Sequence, residues 1–279
     1  MATLQELKGR TAVVTGAASG IGKALAARCF AEGMNVVLAD IEPKALEATR
    51  DELAQGTGKV IALVTDVSKA QEIERLAAKT LDAFGSVDLL FNNAGVGAGS
   101  TAWESTLEDW TWVMGVNLWS VIHGIRTFVP IMLKQNRPGH IINTASIAGL
   151  IRGHHSASYA TTKHAVVALT EQLALEFHRV RAPLKASVLC PSWVNTRINE
   201  SGRNRPEHLL NKNAPPPPSP EMIKTWERMQ EDIKRATAPS VIADAVFDEG
   251  ISKGKLYIVP HKETAQYIRN RFDGIMQDI

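Results

Sequence analysis

Seven short apolar runs alternate with helix-length segments along this 279-residue chain. The runs span residues 11–15, 35–40, 59–66, 87–93, 139–146, 185–191 and 255–260. Nearly continuous apolar strands separated by helices indicate a parallel sheet, because each strand needs cover on both faces. We therefore predict an α/β fold with one doubly wound, seven-stranded parallel sheet, in a single domain over residues 1–279.

The overall charge is nearly balanced. Lysine and arginine number 31 and aspartate and glutamate 29, a net charge of +2 without a basic block, so no nucleic-acid or membrane-surface partner is expected. The N-terminus lacks an apolar signal-peptide core, and no run approaches the ~18 consecutive apolar residues of a membrane span. We expect a cytoplasmic protein. Its two cysteines, Cys29 and Cys190, are expected to be buried and reduced, and no metal site is predicted.

The stretch TGAASGIG, residues 15–22, joins the first predicted strand to the first predicted helix. Glycines at such a junction let backbone N–H groups and the helix N-terminus converge on an anion, so we predict a pyrophosphate site. Gly16 would permit the tight turn, Gly20 the approach of the phosphates and Gly22 close packing of the helix. The alternative is a plain turn in which Ser19 caps the helix.

Asp40 ends the second predicted strand, 18 residues after Gly22. A carboxylate there can accept hydrogen bonds from an adenosine ribose, and the glycine turn favours this role over a solvated acid at a strand end. The same carboxylate would repel the 2′-phosphate of NADP, and neither Ser19 nor Ile41 offers a basic partner. The predicted cofactor is therefore NAD, with NADP less favoured.

Four further motifs follow in order: NNAG at 92–95, Asn117, Ser146 and YATTK at 159–163. With the Thr-Gly-x-x-x-Gly-x-Gly turn, and with Tyr159 following Ser146 by 13 residues, the chain resembles the short-chain dehydrogenase/reductase family from about residue 8 to about residue 197. The resemblance implies a Rossmann fold, a nicotinamide cofactor and hydride transfer between that cofactor and a small-molecule alcohol or ketone. It also implies a homodimer or homotetramer.

The resemblance assigns roles to individual residues. The catalytic residues would be Asn117, Ser146, Tyr159 and Lys163. The predicted cofactor contacts are Gly16, Ser19, Gly20, Ile21, Gly22, Asp40, Asp66, Val67, Asn93, Tyr159, Lys163, Val194 and Thr196. Asp66 and Val67 would hold the adenine, Asn93 would line the cleft, and Val194 and Thr196 would meet the nicotinamide amide.

Tyr159 and Lys163 lie four residues apart and so share one face of a predicted helix. An ammonium beside a phenol favours the phenolate, so Lys163 is expected to lower a tyrosine pKa that starts near ~10. Tyr159 could then exchange a proton with an alcohol oxygen held by Ser146, while Asn117 anchors a water that links Lys163 to solvent. Each residue alone also has an ordinary structural explanation. A catalytically idle NAD-binding sensor or scaffold with the same fold is the alternative function.

Residues 193–238 precede the last predicted strand and far exceed the ~12 to 15 residues of an ordinary loop. We interpret them as a mobile lid over the substrate, with a subunit-packing arm as the alternative. Trp193, Trp226 and His154 are the candidate substrate contacts, although His154 also suits a solvated loop. Residues 261–279 are expected to form a C-terminal helical extension. The lid region resembles the branch of the family that acts on bulky aryl or alicyclic secondary alcohols.

The chain departs from the family pattern after its sixth predicted strand. There Pro191 is followed by Ser192, where the family usually has glycine. Because a residue with a side chain avoids positive φ, we expect the nicotinamide loop to follow a different backbone path.

Overall fold

A computed structural model of the protein describes residues 6–55, 58–153, 156–211, 224 and 230–279. The predicted substrate contacts His154 and Trp226 lie outside these residues. The strands are β1 Thr11–Thr15, β2 Asn35–Asp40, β3 Val60–Val64, β4 Leu89–Asn92, β5 Gly139–Thr144, β6 Leu184–Leu189 and β7 Tyr257–Ile258. They form one parallel sheet in the order β3-β2-β1-β4-β5-β6-β7, which confirms the predicted fold class.

Helices connect the strands. They are α1 Gly20–Ala31, α2 Pro43–Leu53, α3 Ala70–Phe84, α4 Leu107–Met114, α5 Ser120–Gln135, α6 Ala157–Arg179, α7 Pro239–Ala245 and α8 Ala265–Gln277. Local signals explain several ends: a reciprocal capping box between Thr106 and Asp109 begins α4, and Gly85, with φ of 72°, follows α3. The C-terminal helix α8 has no buried residue among 265–277.

The central strand β1 is buried on both faces of the sheet. Val14 belongs to a core cluster with Leu25 of α1, whereas the adjacent Val13 belongs to a second cluster with Phe128 of α5 and Phe177 of α6. Successive side chains of a strand point to opposite faces, so each layer of helices covers one of the two. This double burial explains why the strand is a continuous apolar run in the sequence.

Most of the predicted runs extend past the observed strands at their carboxyl ends. The extra residues include Asp66 after β3, Asn93 after β4 and Ser146 after β5, and they turn out of the sheet at its carboxyl edge. In a parallel sheet all these ends meet at one edge, which is where open α/β folds bind ligands. Polar residues of three separate sequence motifs are thereby brought together.

One stretch among the described residues, Leu107–Gln135, is long and apolar enough to cross a membrane by length and composition. It comprises α4, a π-helical turn Gly115–Trp119 and α5. Charged residues such as Arg126 interrupt the stretch, so it contains no long run of consecutive apolar residues. Phe128 and Met132 are fully buried in the protein core. Since a core helix meets the same two criteria, this stretch is weak support for a membrane span.

Candidate active site

The backbone of the glycine turn after β1 leaves no room for side chains at Gly16 and Gly22. Gly16 and Gly20 have φ of 67° and 54°. A Cβ on Gly16 would lie 2.9 Å from Cα of Ala94, and one on Gly22 only 2.0 Å from the carbonyl oxygen of Gly16. Ser19 is the N-cap residue of α1, but its side chain makes no capping hydrogen bond. The structure therefore does not support a plain turn capped by Ser19, and this cradle fits the predicted phosphate group.

A hydrogen-bonded chain joins the carboxyl ends of β1, β4 and β5. The Thr15 hydroxyl accepts from the backbone N–H groups of Asn93 and Ala94 at 2.9 and 3.1 Å. The Asn93 side chain donates to the Thr15 carbonyl at 3.0 Å and accepts from the Thr144 hydroxyl at 3.2 Å. Asn93 lines the cleft as predicted, while its amide holds the strands in register. The sequence analysis missed Thr15, whose position at a strand end is the only local signal of this role.

Two acidic side chains, Asp40 and Asp66, are the ones predicted from the sequence to contact the adenosine part of the cofactor. Asp40 accepts from the backbone N–H groups of Ala18 and Glu42 at 2.9 and 3.0 Å. Its burial raises the pKa of the carboxyl, and these amide hydrogen bonds oppose that rise. Asp66 accepts from both the backbone N–H and the hydroxyl of Ser68, at 3.0 and 2.6 Å. Asp66 is thereby held at the mouth of the cleft.

A cavity of about 1050 Å³ runs along the carboxyl edge of the sheet. Its volume lies just above the ~300 to 1,000 Å³ usual for ligand pockets, which suits a dinucleotide together with a substrate. Most of the predicted contacts line it: Gly16, Ser19, Gly20, Ile21, Asp40, Asp66, Val67, Asn93, Ser146, Tyr159, Lys163, Trp193, Val194 and Thr196. Gly22 and Asn117 do not line this cavity and support it from behind. The cradle, the acidic end and the polar cluster fit a nicotinamide dinucleotide.

Ser146, Tyr159 and Lys163 meet in the middle of this cavity. The Tyr159 side chain is hydrogen-bonded to that of Ser146, whose hydroxyl also accepts from the backbone N–H of Ala148 at 3.2 Å. Lys163 is buried, and its Nζ donates to the carbonyl oxygen of Thr144 at 3.0 Å. The same Nζ lies 5.5 Å from the centre of the Tyr159 ring. A proton donor, a hydrogen-bonding hydroxyl and a fixed ammonium therefore share one small volume.

Asn117 lies in the π-helical turn between α4 and α5, with its side chain turned toward the loop after β4. Its amide accepts from the backbone N–H of Val96 at 2.8 Å and donates to the Val96 carbonyl at 2.9 Å. These bonds hold the loop after β4 in position, and the predicted water link from Asn117 to Lys163 stays a prediction. The sequence singled out the residue, whereas its pairing with Val96 is visible only in the structure.

The start and the end of the predicted lid are joined. Val194 and Thr237 form a parallel β-bridge, and the Asn195 N–H donates to the Thr237 carbonyl at 3.0 Å. Ser192 is not among the described residues with positive φ, and its N–H donates to Nδ1 of His261 at 3.0 Å. The loop therefore accommodates Ser192 in place of glycine without strain. His261 carried no signal in the sequence.

The sequence and the structure of the protein were compared with those of known proteins. A family model described as short chain dehydrogenase matches residues 10–207. The chain is 41% identical over 192 residues to a 1-deoxy-11-beta-hydroxypentalenate dehydrogenase from Streptomyces exfoliatus, covering 68% of this chain and 69% of that protein. It is 35% identical over 207 residues to 3beta-hydroxysteroid dehydrogenase 2 from Eggerthella lenta, covering 74% and 79%. A short-chain dehydrogenase/reductase from Burkholderia phymatum, solved in complex with NAD, matches with a TM-score of 0.93 and 40% identity, covering 99% of this chain and 97% of that chain.

The chain belongs to the short-chain dehydrogenase/reductase family. It is therefore an oxidoreductase that acts on CH–OH groups of small-molecule alcohols with a nicotinamide cofactor. The family and the enzyme class predicted from the motifs are confirmed, which leaves the idle sensor or scaffold without support.

The pKa of Tyr159 in this dehydrogenase is shifted in the opposite direction to the one expected from the sequence. Burial of the phenol raises its pKa, and the hydrogen bond with Ser146 only partly offsets the rise. Burial also lowers the pKa of Lys163 to about 8. The expected net lowering of the tyrosine pKa was wrong, because withdrawal of the phenol from water raises that pKa by more than the hydrogen bond with Ser146 lowers it. Tyr159 is thus held as a proton donor at neutral pH.

We expect Lys163→Met to move the pH profile of alcohol oxidation. Oxidation needs the phenolate of Tyr159 as proton acceptor, so kcat/KM rises with pH as the phenol ionises. Removing a neighbouring positive charge disfavours the phenolate, and the rise is expected about one pH unit or more higher. The two profiles are expected to converge only at strongly alkaline pH, where Tyr159 is ionised in both proteins.

The measurement is kcat/KM for a secondary alcohol across the pH range, with Lys163→Arg as the variant that keeps a positive charge. An unchanged midpoint in Lys163→Met would show that the ammonium does not act on Tyr159.

Proposed function

We propose that this short-chain dehydrogenase interconverts a bulky aryl or alicyclic secondary alcohol and its ketone with NAD. The observation that supports this substrate class is the aromatic lining of the cavity. Of the five tryptophans that the structure describes, four line the cavity: Trp110, Trp112, Trp119 and Trp193. Flat apolar side chains offer large contact area to a ring system and little to a small alcohol. About half of the Trp119 and Trp193 surfaces is exposed to the cavity or to solvent, so both can still contact a ligand.

The polar cluster supplies the acid–base chemistry of this proposal. In oxidation, the phenolate of Tyr159 takes the hydroxyl proton of the alcohol while the C–H hydrogen leaves as hydride, so that a C=O bond forms. The Ser146 hydroxyl holds the substrate oxygen on which charge develops. The nicotinamide ring, when bound, supplies the hydride acceptor. Lys163, anchored on the Thr144 carbonyl, stabilises the charged form of Tyr159.

NAD is favoured over NADP by the acidic adenosine end of the cavity. Asp40 lines it at the end of β2, where a ribose 2′-hydroxyl can donate to a carboxylate. A relative with 40% identity has been solved in complex with NAD. Both observations support the same cofactor.

The names of relatives support the substrate class. One relative is a 3beta-hydroxysteroid dehydrogenase, and a hydroxysteroid is a bulky alicyclic secondary alcohol. The described part of the lid also packs beside the aromatic wall: the Arg205 guanidinium lies 5.3 Å above the Trp112 ring and 2.6 Å from the Asp109 carboxylate. Ring substrates would thus enter between this wall and Trp193.

We also propose assembly as a homodimer or homotetramer through α5 and α6. Both helices cross the molecule beside the site, and Leu133 and Leu175 are exposed apolar residues on them. Sedimentation of the purified protein tests this; a monomer would contradict it.

We expect kcat/KM to be higher for 1-phenylethanol and cyclohexanol than for propan-2-ol, and Trp193→Ala to reduce that advantage. Each ring carbon in contact with the tryptophan is removed from water, at roughly 0.8 kcal/mol per buried CH₂, so an advantage of about tenfold or more is expected. The measurement is the ratio of kcat/KM values for the large and small alcohols, with NAD as cofactor.

Trp103→Ala is the matched control, since Trp103 is 84% exposed and does not line the cavity. Equal activity on small and bulky alcohols would contradict the proposed substrate class. A Trp193 variant with unchanged kinetics but altered oligomeric state would assign the region to subunit packing.

A further inference from the structure

The predicted lid reaches across the cofactor end of the cavity and binds Glu42. The Nε of Arg203 donates to Glu42 Oε1 at 3.0 Å, its Nη2 forms an ion pair with the same oxygen, and the Asn204 side chain donates to it at 2.9 Å. Glu42 precedes α2, whereas Arg203 lies in a short helical segment, Ile198–Asn204. Separation by 161 residues in sequence hides this contact from any local pattern.

Arg203 is held in position from its own side as well. Its Nη1 donates to the backbone carbonyls of Arg197 and Glu200 at 3.2 and 2.9 Å. Only about a quarter of each side chain in the Arg203–Glu42 pair is exposed. The guanidinium is therefore a preorganised cation, which makes it suited to bind a phosphate if Glu42 is not in the way.

Glu42 also adjoins the carboxylate predicted to bind the ribose. The Glu42 N–H donates to Asp40 Oδ1 at 3.0 Å, and Asp40, Glu42 and Arg203 all line the same cavity. The bond from Arg203 holds the pKa of Glu42 below its usual value, so the glutamate is ionised at neutral pH. Asp40 and Glu42 thus place two negative charges at this part of the cavity, while the Arg203 guanidinium is paired with Glu42 and the nearby Arg197 is paired with Glu200 at 2.8 Å.

We infer that Glu42 is a second determinant of cofactor choice in this enzyme, because it occupies the guanidinium of Arg203 that would otherwise bind the 2′-phosphate of NADP. The inference rests on the proposed NAD preference and extends it to a residue pair. Asp40 repels the phosphate, and Glu42 withholds the cation that could compensate for that repulsion. Removal of both barriers is expected to give a larger gain in affinity for the 2′-phosphate than removal of Asp40 alone.

The probes are 5′-AMP and 2′,5′-ADP, which differ only in the 2′-phosphate, and their dissociation constants are measured by isothermal titration calorimetry. The readout is the ratio of the two affinities, since a general loosening of the lid would affect both probes. We compare the single variant Asp40→Ser with the double variant Asp40→Ser/Glu42→Gln. In the double variant we expect the affinity ratio to shift toward 2′,5′-ADP by about tenfold or more, because a freed guanidinium can form a charge-assisted hydrogen bond with the phosphate. Adding Arg203→Met is expected to remove that gain.

Glu52 provides the matched control. It lies on α2, pairs with Lys23 at 2.6 Å and does not line the cavity. Asp40→Ser/Glu52→Gln also removes one negative charge, from α2 itself, and is expected to leave the ratio unchanged. An equal shift in this control would assign the effect to net charge and overturn the inference.

Two further outcomes would overturn it: a ratio that does not change when Glu42 is replaced, or a gain that persists in Arg203→Met. The proposed NAD preference is tested separately by the ratio in the unmodified protein. If the unmodified protein binds 2′,5′-ADP more tightly than 5′-AMP, that preference fails. The effect of Glu42→Gln on the affinity ratio can still be measured in that case, by comparing Asp40→Ser with Asp40→Ser/Glu42→Gln.

Discussion

Tyr159→Phe is expected to lower turnover by about 10²- to 10⁴-fold, the usual contribution of general acid–base catalysis. The substitution removes one hydroxyl, which is hydrogen-bonded to Ser146, and leaves the ring beside the Lys163 ammonium. The fold and the cofactor cleft are therefore expected to be intact. The measurements are kcat for a secondary alcohol at saturating cofactor and the affinity for NADH by fluorescence titration.

Tyr257→Phe is the matched control for this experiment. Tyr257 lies on the edge strand β7, and its hydroxyl donates to Glu171 away from the catalytic cluster. The control is expected to retain normal turnover. If Tyr159→Phe also stayed near the unmodified rate, Tyr159 could not be the group that transfers the proton.

Asp40→Ser is expected to weaken or reverse a preference for NAD over NADP. Like charges about 4 Å apart repel by roughly 1 to 4 kcal/mol, so the unmodified enzyme is expected to favour NAD by about tenfold or more in kcat/KM. Removing the carboxylate removes that repulsion, although the ion pair of Glu42 with Arg203 is expected to limit the gain for NADP.

Asp40→Asn provides a second variant that keeps the size of the side chain and one acceptor for the N–H groups of Ala18 and Glu42. It separates loss of charge from loss of local structure. Tighter binding of NADP than of NAD by the unmodified enzyme would contradict the role given to Asp40.

Short-range patterns in the sequence were sufficient to predict the fold. Apolar runs of strand length separated by helices require a covered parallel sheet, and the glycines of residues 15–22 mark a turn where side chains cannot fit. The spacing of Tyr159 and Lys163 likewise needs only helical geometry to bring them together. These features depend on neighbours within a few residues, which is why a single sequence reveals them.

Contacts between distant residues could not be predicted in this way. The carbonyl of Thr144 that holds Lys163, the pairing of Asn117 with Val96 and the imidazole of His261 beneath Ser192 arise only when separate loops meet at the sheet edge. Every residue carries a backbone carbonyl, so the residue types do not reveal which carbonyl accepts a given hydrogen bond. Their partners follow from the path of the chain.

The sequence by itself determined the doubly wound parallel fold class and the glycine turn, because both depend on local periodicity or spacing, and its motifs pointed to the candidate catalytic residues through their resemblance to the family. Only the tertiary structure decided how those residues are charged and held. Burial, which depends on the whole fold, raises the pKa of Tyr159 instead of lowering it and brings that of Lys163 to about 8. The fold also brings Arg203 into contact with Glu42, 161 residues away in the sequence. This pair lies beside Asp40, for which the sequence alone indicated no basic neighbour.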